Sequence, residues 1–209
     1  MGKRIADEYV GVWQRRGIRV GDSPAVENSC VLWLQSPSRY ADIRVPAPGQ
    51  SKGARQAFAG GLRWSAPTLT FLHDLDFTGN HPDDQGDLTW EGETLVETGS
   101  AEVRGKTVHY QEYWYRLSPI NPDFETWEMR EQDALVGIAM RVGSYAHIVG
   151  HAITQARAIS QQDHFGAAHY MMQAGVWSQQ ALVGGATTNV FADALVVPWV
   201  LVESAACGC

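Results

Sequence analysis

The chain has 209 residues, a net charge of −7 and an isoelectric point near 5.4. This acidic balance excludes the basic surface that phosphate binding needs, so we do not expect nucleic acid as a partner. No apolar run approaches the roughly 20 residues that cross a bilayer, and no apolar segment follows Lys3 and Arg4. We therefore expect one soluble, cytoplasmic domain over residues 1–209, without membrane contact.

Strand-like segments fill the first two thirds of the chain. Turn residues such as Pro24, Pro67 and Gly105 recur, and the segments between them are rich in Val, Ile, Thr, Tyr and Trp. Glu91-Gly92 and Gly143-Ser144 are predicted to be hairpin turns. The predicted strands are Gly11–Val20, Ser29–Gln35, Tyr40–Val45, Gly60–Trp64, Thr68–Phe77, Asp87–Trp90, Thr94–Gly99, Thr107–Leu117, Glu125–Glu131, Leu135–Val142 and Tyr145–Gly150. The pattern predicts an all-β fold, a single antiparallel up-and-down β-barrel.

The last quarter of the chain has a different composition. Residues of about 154–176 are rich in Ala, Gln, His and Met, and Phe165, Ala168 and Met172 recur near helical spacing. We expect one late α-helix there. The apolar run Ala194–Val202 contains Pro198, which favours a C-terminal edge or closing strand over a central one.

The motif Gly11-Val12-Trp13 follows a short polar segment and resembles the Gly-x-Trp motif of the lipocalins and the wider calycin superfamily. In that family the Trp closes the barrel floor and stacks under an Arg from a late strand. The resemblance assigns that role here to Arg141 or Arg130, through a cation–π contact. Without a signal peptide or paired cysteines, the chain is more similar to cytoplasmic bacterial barrels. That group includes haem-binding nitrobindin-type barrels and cofactor-free phenolic acid decarboxylases.

Strict alternation in the third predicted strand places Tyr40, Asp42 and Arg44 on one face. If this face points inward, the Arg44 guanidinium suits a carboxylate ligand, and Tyr40 can hydrogen-bond to the ligand or donate a proton. If it points outward, Asp42 and Arg44 form a surface pair worth about 0–1 kcal/mol. The sequence leaves both orientations open.

The predicted strand Thr107–Leu117 carries Tyr110, Glu112 and Trp114 on one face. Burial between the two aromatic residues would raise the pKa of Glu112, which suits a general acid or base. The structural alternative is that Glu112 pairs with Arg44 or Arg130 as a buried strut.

His73 shares a predicted face with Leu69, Phe71 and Leu75. It is either a hydrogen-bonded core residue or the histidine best placed for acid–base chemistry or for a haem iron.

The sequence does not predict a metal site or a cofactor. Cys207 and Cys209 at the end of the chain supply only half of a closed zinc site, and Cys30 leaves the cysteine count odd. On a strand, His147 and His151 would stand about 13 Å apart, at roughly 3.3 Å per residue, too far to share an ion.

Three functions remain open at this stage. The first is a barrel that binds a small aromatic or carboxylate-bearing molecule, with cofactor-independent lyase or isomerase chemistry as an extension. The second is a haem barrel with His73 or His147 on the iron. The third is a non-catalytic interaction barrel filled by its own side chains, whose outer surface binds another protein or a second copy as a homodimer. For the first function the catalytic candidates are Glu112, His73 and Tyr40, and the ligand-binding candidates are Arg44, Trp13, Trp33, Trp64, Trp114 and Tyr110.

Overall fold

The computed structural model describes residues 4–50, 55–79, 82–103, 105–150, 166–184 and 199–206. Within these ranges the chain forms β-strands and one short 3-10 helix, Asp7–Tyr9. The strands are β1 (Gly11–Val20), β2 (Ser29–Gln35), β3 (Arg39–Pro46), β4 (Gln56–Ser65), β5 (Thr68–Phe71), β6 (Leu75–Asp76), β7 (Asp84–Glu91), β8 (Thr94–Val103), β9 (Lys106–Arg116), β10 (Phe124–Glu131), β11 (Ala134–Val142), β12 (Tyr145–Gly150), β13 (Gly166–Gln173), β14 (Val176–Gly184) and β15 (Val200–Ala205). In these ranges no helix is long and apolar enough to cross a bilayer.

The first sheet closes on itself as an eight-stranded antiparallel barrel. Antiparallel pairings run from β1 to β5 in chain order, continue through β7, β8 and β9, and return from β9 to β1. β6 pairs with β4 beyond the end of β5, so β5 and β6 act as one strand with an interruption. Gly60 permits this interruption because a Cβ there would lie 1.9 Å from the carbonyl oxygen of Leu72.

A second, six-stranded sheet follows the barrel in the chain and packs against its outside. Its strand order is β14-β13-β12-β11-β10-β15. One hydrophobic cluster combines Ala41 and Ile43 of β3 with Ile138, Met140 and Val149 of the second sheet. Because side chains alternate along a strand, the buried residues Ala41 and Ile43 face this sheet, whereas Tyr40, Asp42 and Arg44 face the barrel interior.

The prediction of an all-β antiparallel barrel is confirmed, and several predicted bounds match the structure. β1, β2 and β12 have the predicted ends. Gly92 and Gly143, in the two predicted hairpin turns, have φ values of +63° and +55°, the left-handed region that glycine tolerates. The prediction of a single barrel was incomplete, because the later strands form a second sheet instead of joining the barrel sheet.

The predicted late α-helix is not seen. Residues 166–173 form β13, which pairs with β12 on one side and β14 on the other. Alanine and methionine favour helices when exposed, but here Ala167, Ala168 and Tyr170 are buried in the middle of a sheet, and tertiary packing overrides that preference. Residues 154–165 lie outside the described ranges. The predicted C-terminal strand appears as β15, which begins at Val200; residues 194–198 also lie outside the described ranges.

Candidate functional site

Trp13 closes one end of the barrel. Its ring is fully buried, and its indole Nε1 donates a hydrogen bond of 2.9 Å to the carbonyl of Tyr9 in the short helix. The guanidinium carbon of Arg116 lies 4.2 Å from the centre of the Trp13 ring. Arg116 also donates hydrogen bonds to the carbonyls of Val10, at 2.7 Å, and Glu8. The short helix, the indole and the guanidinium therefore cap this end together.

The arginine that stacks on Trp13 is Arg116, and not Arg141 or Arg130 as the resemblance implied. Trp13 and Arg116 are direct partners in the β1–β9 ladder, which closes the barrel. Arg141 and Arg130 lie on the second sheet, where Arg141 binds Asp123 and Glu125, and Arg130 binds Glu128. The prediction of Arg141 or Arg130 was wrong because the barrel closes with β9, which carries Arg116, and not with the later strands β10 and β11.

Aromatic rings fill the part of the barrel above Trp13. The centre of the Trp33 ring lies 5.8 Å from Trp13, 5.4 Å from Trp114 and 5.5 Å from Phe71. Trp13, Trp33 and Trp114 are at most 2 % exposed. Trp64 lies apart from this stack and packs on Tyr9, with ring centres 5.2 Å apart.

The inward polar residues form a second layer, which we call the charged cluster: Arg15, Asp42, Arg44, Glu97 and Glu112. Arg15 binds Glu112 and also Glu27 at the edge of the cluster, with Nε 2.8 Å from the Glu27 carboxylate. Arg44 pairs with Asp42 at 2.9 Å, lies 3.9 Å from Glu112 and stacks on the Phe58 ring at 4.8 Å. Glu112 is therefore a member of a buried ion-pair network, with Arg15 as its nearest partner.

The carboxyl group of Glu97 is almost completely buried in the charged cluster. Burial raises its pKa well above 4.5, and the negative charges of Glu112 and Asp84 raise it further, although Arg44 opposes them. The carboxyl oxygen of Glu97 accepts a 3.1 Å hydrogen bond from the Trp114 indole. Burial and the charge of Glu97 also raise the pKa of Tyr110, whose hydroxyl lies 3.3 Å from Asp84. Tyr110 therefore stays a neutral phenol.

The three catalytic candidates each have their own polar partner. The Tyr40 hydroxyl donates a 3.1 Å hydrogen bond to the carbonyl of Leu72, and Glu112 binds Arg15. His73 Nδ1 lies 2.7 Å from the Asp76 carboxylate, and its ring stacks on Phe58 with centres 4.6 Å apart. Although burial raises the pKa of Asp76, hydrogen bonds from His73 and Thr78 outweigh it and bring the value to about 2. The three residues lie in the barrel, but each binds a different partner, and none of these hydrogen bonds or ion pairs joins one candidate to another.

A cleft of about 650 Å³ lies where the end of β9 and the following linker meet the second sheet. Its apolar walls include Leu117, Tyr145, Met171 and Met172. Arg141 lies in the cleft wall. Its Nε is 2.7 Å from the Glu125 carboxylate, and its Nη1 is bonded to Asp123.

Comparison with known proteins places the chain in a family. The family model described as Protein HRI1 matches residues 11–192, a range that starts at β1 and extends past β14. The chain belongs to the HRI1 family. It is similar to the crystal structure of an uncharacterized protein of Saccharomyces cerevisiae, YLR301w, with a TM-score of 0.67 and 14 % identity over 93 % of this chain and 98 % of that one. That likeness shows the fold alone. No curated protein matches the chain.

Sequence reasoning missed three residues that organise the interior of this HRI1-family barrel: Arg15, Glu97 and Arg116. Arg15 lies two positions after Trp13 on the same strand, and Glu97 alternates with the buried Leu95, so period-two spacing would have found both. The pairing of Arg15 with Glu112 needs the register of β1 against β9, which shifts between Arg15 and Gly17. The closed barrel fits a calycin-like fold. The more specific assignment to the lipocalins stays a prediction.

Proposed function

We propose that this HRI1-family chain is a non-catalytic binding protein whose barrel is a solid support. Its binding surface would be the cleft between the linker of residues 117–123 and the second sheet, and its ligand an apolar segment of another protein. One observation carries the proposal: the inward-facing side chains of the barrel fill its interior and pair with one another.

The exposure of the inward-facing residues argues against a ligand-sized cavity beside them. A side chain that lines such a cavity keeps surface that a water molecule can reach. Trp13, Trp33 and Trp114 are 0 %, 1 % and 2 % exposed, and the charged residues Glu97 and Glu112 are 3 % and 4 % exposed. An eight-stranded barrel is just wide enough for its own side chains to fill it.

The cleft has the size and chemistry of a binding site. Its volume of about 650 Å³ lies in the range of about 300–1,000 Å³ that ligand sites occupy. Met171 and Met172 supply flexible apolar surface, which adapts to different partners. The two charged residues in the lining, Asp123 and Arg141, have opposite charges and form an ion pair, so the cleft carries no net charge. The expected partner segment is therefore apolar and uncharged where it enters the cleft.

A peptide selection tests the proposal. Peptides displayed on phage are selected against the full chain, and their affinities are measured for the wild type and two tryptophan variants. Ser144→Trp fills the cleft from its wall, whereas Ser100→Trp adds the same side chain on exposed β8. We expect the selected peptides to be apolar, and we expect Ser144→Trp, but not Ser100→Trp, to lower their affinity about tenfold or more. Equal affinity for both variants would overturn the proposal.

A second candidate is the small aromatic or carboxylate-bearing ligand expected from the sequence, held at the charged end of the barrel. The Arg44 side chain is 18 % exposed, more than the other inward-facing charges, which favours this end as an entrance. A carboxylate ligand would have to compete with Asp42 and Glu112 for Arg44. Calorimetry with phenolic acids tests this, and an affinity that is unchanged in a folded Arg44→Gln variant would reject it.

The remaining alternatives receive less support. His73 is engaged with Asp76 and Phe58, and His147 is buried between the two sheets, so neither faces a haem-sized space among the described residues. Lyase or isomerase chemistry, a homodimer and a cytoplasmic location stay predictions.

A further inference from the structure

We propose that Met140, His147 and His169 form a buried binding site for Cu(I) between the barrel and the second sheet. The three residues lie side by side on β11, β12 and β13. Met140 is the direct ladder partner of His147, and His147 is the direct partner of His169. Directly paired residues project from the same face of a sheet, so the thioether and both imidazoles share one face.

Two ring nitrogens at this position are buried without a hydrogen-bond partner among the described residues. His147 is 0 % exposed and His169 is 5 % exposed. His147 Nδ1 lies 3.2 Å from the carbonyl of Ala41 in β3, which only accepts hydrogen bonds, so Nδ1 carries the hydrogen. Nε2 of a neutral His147 is then a lone-pair atom, and it has no partner. Nδ1 of His169 is the second such atom.

A buried acceptor without a partner costs about 1–3 kcal/mol, and native proteins rarely leave one without a reason. Two such atoms on neighbouring rings suggest that something absent from the protein chain binds between them. A metal ion is the natural ligand of an unprotonated imidazole nitrogen.

The spacing of the rings suits one ion. The ring centres of His147 and His169 are 5.0 Å apart, and the rings are perpendicular. Two imidazoles that bind one ion at about 2.0 Å, with a near-tetrahedral angle, place their ring centres about 5 Å apart. The buried Met140 beside His147 offers a third ligand atom.

Both imidazoles are in the form that binds metals. Burial lowers the pKa of His147 well below 6.5, and the neighbouring His169 lowers it further. Burial also lowers the pKa of His169, to about 4, although a backbone hydrogen bond at Ala146 opposes the shift. Neither ring therefore needs to lose a proton at neutral pH before it binds an ion.

The donor set selects a soft, monovalent ion. Thioether sulfur binds Cu(I) and is a poor ligand for hard cations. All three donors are neutral, and burying a divalent ion without anionic ligands costs more than burying a monovalent one. Within the described ranges no three His, Cys, Asp or Glu residues group as a metal site, so this face offers no ordinary zinc site.

Anaerobic titration of the full chain with Cu(I), against a chromogenic Cu(I) chelator, tests the proposal. Because cysteine thiolates also bind Cu(I), the titration uses a Cys30→Ser, Cys207→Ser, Cys209→Ser background. Ag(I) serves as a probe without redox chemistry, Zn²⁺ as the borderline divalent control and Mg²⁺ as the hard control. We expect one equivalent of Cu(I) or Ag(I), and shifts of the His147 and His169 ring nitrogen resonances.

Two conservative variants sharpen the test. Met140→Leu should weaken Cu(I) binding about tenfold, while Met129→Leu, at another buried methionine of the same sheet, should leave it unchanged. Cu(I) binding that is unaffected by folded His147→Phe and His169→Phe variants would overturn the proposal. If those variants do not fold, unshifted ring resonances at one equivalent of Cu(I) would overturn it in the wild type. Failure to retain Cu(I) in the cysteine-free chain would do the same.

Discussion

The barrel interior and the interface between the two sheets both bury polar groups, but they treat them differently. Inside the barrel, Glu112 is paired with Arg15, and Glu97 accepts a hydrogen bond from Trp114. At the interface, nitrogen atoms of His147 and His169 lack partners among the described residues. Polar groups that are all paired with one another need no ligand, whereas buried nitrogen lone pairs without a partner are stabilised when a ligand binds them. This difference is the reason why we propose a supporting role for the barrel interior and binding sites outside it.

The interface also has polar contacts that are satisfied. Arg39 of β3 donates a 2.7 Å hydrogen bond to Glu128 of β10, and Ser36 donates one of 2.6 Å to Glu203 of β15. Although burial raises the pKa of Glu128, hydrogen bonds from Arg39 and Arg130 outweigh it and lower the value. These contacts hold the second sheet against the barrel. They therefore fix the positions of His147 and His169 relative to β3.

The largest expected effect comes from removing an aromatic ring inside the barrel. Trp33→Ala should lower the free energy of unfolding by about 3–5 kcal/mol, because Trp33 is fully buried and contacts Trp13, Trp114 and Phe71. Urea denaturation measures the loss. Tyr115→Ala, at a ring that is 36 % exposed and stacks on the Arg16 side chain, is the control and should lose much less. A small loss at Trp33 would mean that the interior is hollow.

Breaking the charged cluster should have the next largest effect. Arg15→Leu leaves Glu112 buried beside Glu97 without its nearest cation, which should lower the free energy of unfolding by about 3 kcal/mol. The double variant Arg15→Leu, Glu112→Leu should recover at least half of that loss. If the single variant is as stable as wild type, water reaches the cluster, and the interior is not the sealed network described above.

A smaller effect is expected at the closed end. Arg116→Lys keeps the charge over Trp13 but loses the planar guanidinium that also donates to two backbone carbonyls. Chemical denaturation should show a loss of about 1 kcal/mol. The same change at Arg16, which stacks on the exposed Tyr115 ring at 4.1 Å, should have almost no effect. Equal losses at both positions would reject a special role for Arg116.

The smallest effect is expected from Glu97→Gln at acidic pH, where Glu97 is protonated, because Gln keeps a hydrogen-bond acceptor for Trp114 and removes only the titration. The pKa of Glu97 is raised in the folded state, so its contribution to stability is full below pH 4.5 and is lost as pH rises through the raised value. Relative to wild type, Glu97→Gln should become more stable as pH increases. A difference that stays constant with pH, measured by urea denaturation, would contradict this assignment.

The histidine pair should show the opposite sign. The pKa of His169 is lowered to about 4 in the folded state, so its contribution is full above pH 6.5 and is lost as pH falls toward 4. Wild type should therefore lose stability over this interval, and a folded His169→Phe variant should lose less. An equal acid loss in both proteins would place the titrating groups elsewhere.

The local sequence pattern predicted the strands of the barrel well, because the alternation of residues along a strand and the glycines in turns are short-range signals. The Tyr40, Asp42 and Arg44 side chains do share one face, and the contact of Arg44 with Glu112 shows that this face points inward. The late strand β13 was missed because its Ala and Met residues have helical preferences, and only pairing with β12 and β14 makes it a strand.

The candidate sites depended on long-range pairing that one sequence does not reveal. Arg15 meets Glu112, 97 residues away, only through the β1–β9 ladder and its register shift. His147 meets His169 because β12 and β13 are neighbours, an arrangement that the predicted helix excluded. From the sequence we rejected His147 as a metal ligand because we considered only His151 as its partner.

Hydrogen exchange of the indole N–H groups, followed by NMR, tests the solid interior most directly. Trp13, Trp33 and Trp114 donate these hydrogens to Tyr9, Gln35 and Glu97 at 2.9, 3.0 and 3.1 Å, and all three rings are buried. We predict that the Trp33 and Trp114 hydrogens exchange about 100-fold or more slowly than the indole hydrogen of free tryptophan, and that phenolic acids do not shift them. Fast exchange at Trp33 and Trp114, with shifts on adding such a ligand, would show a hollow barrel and contradict it.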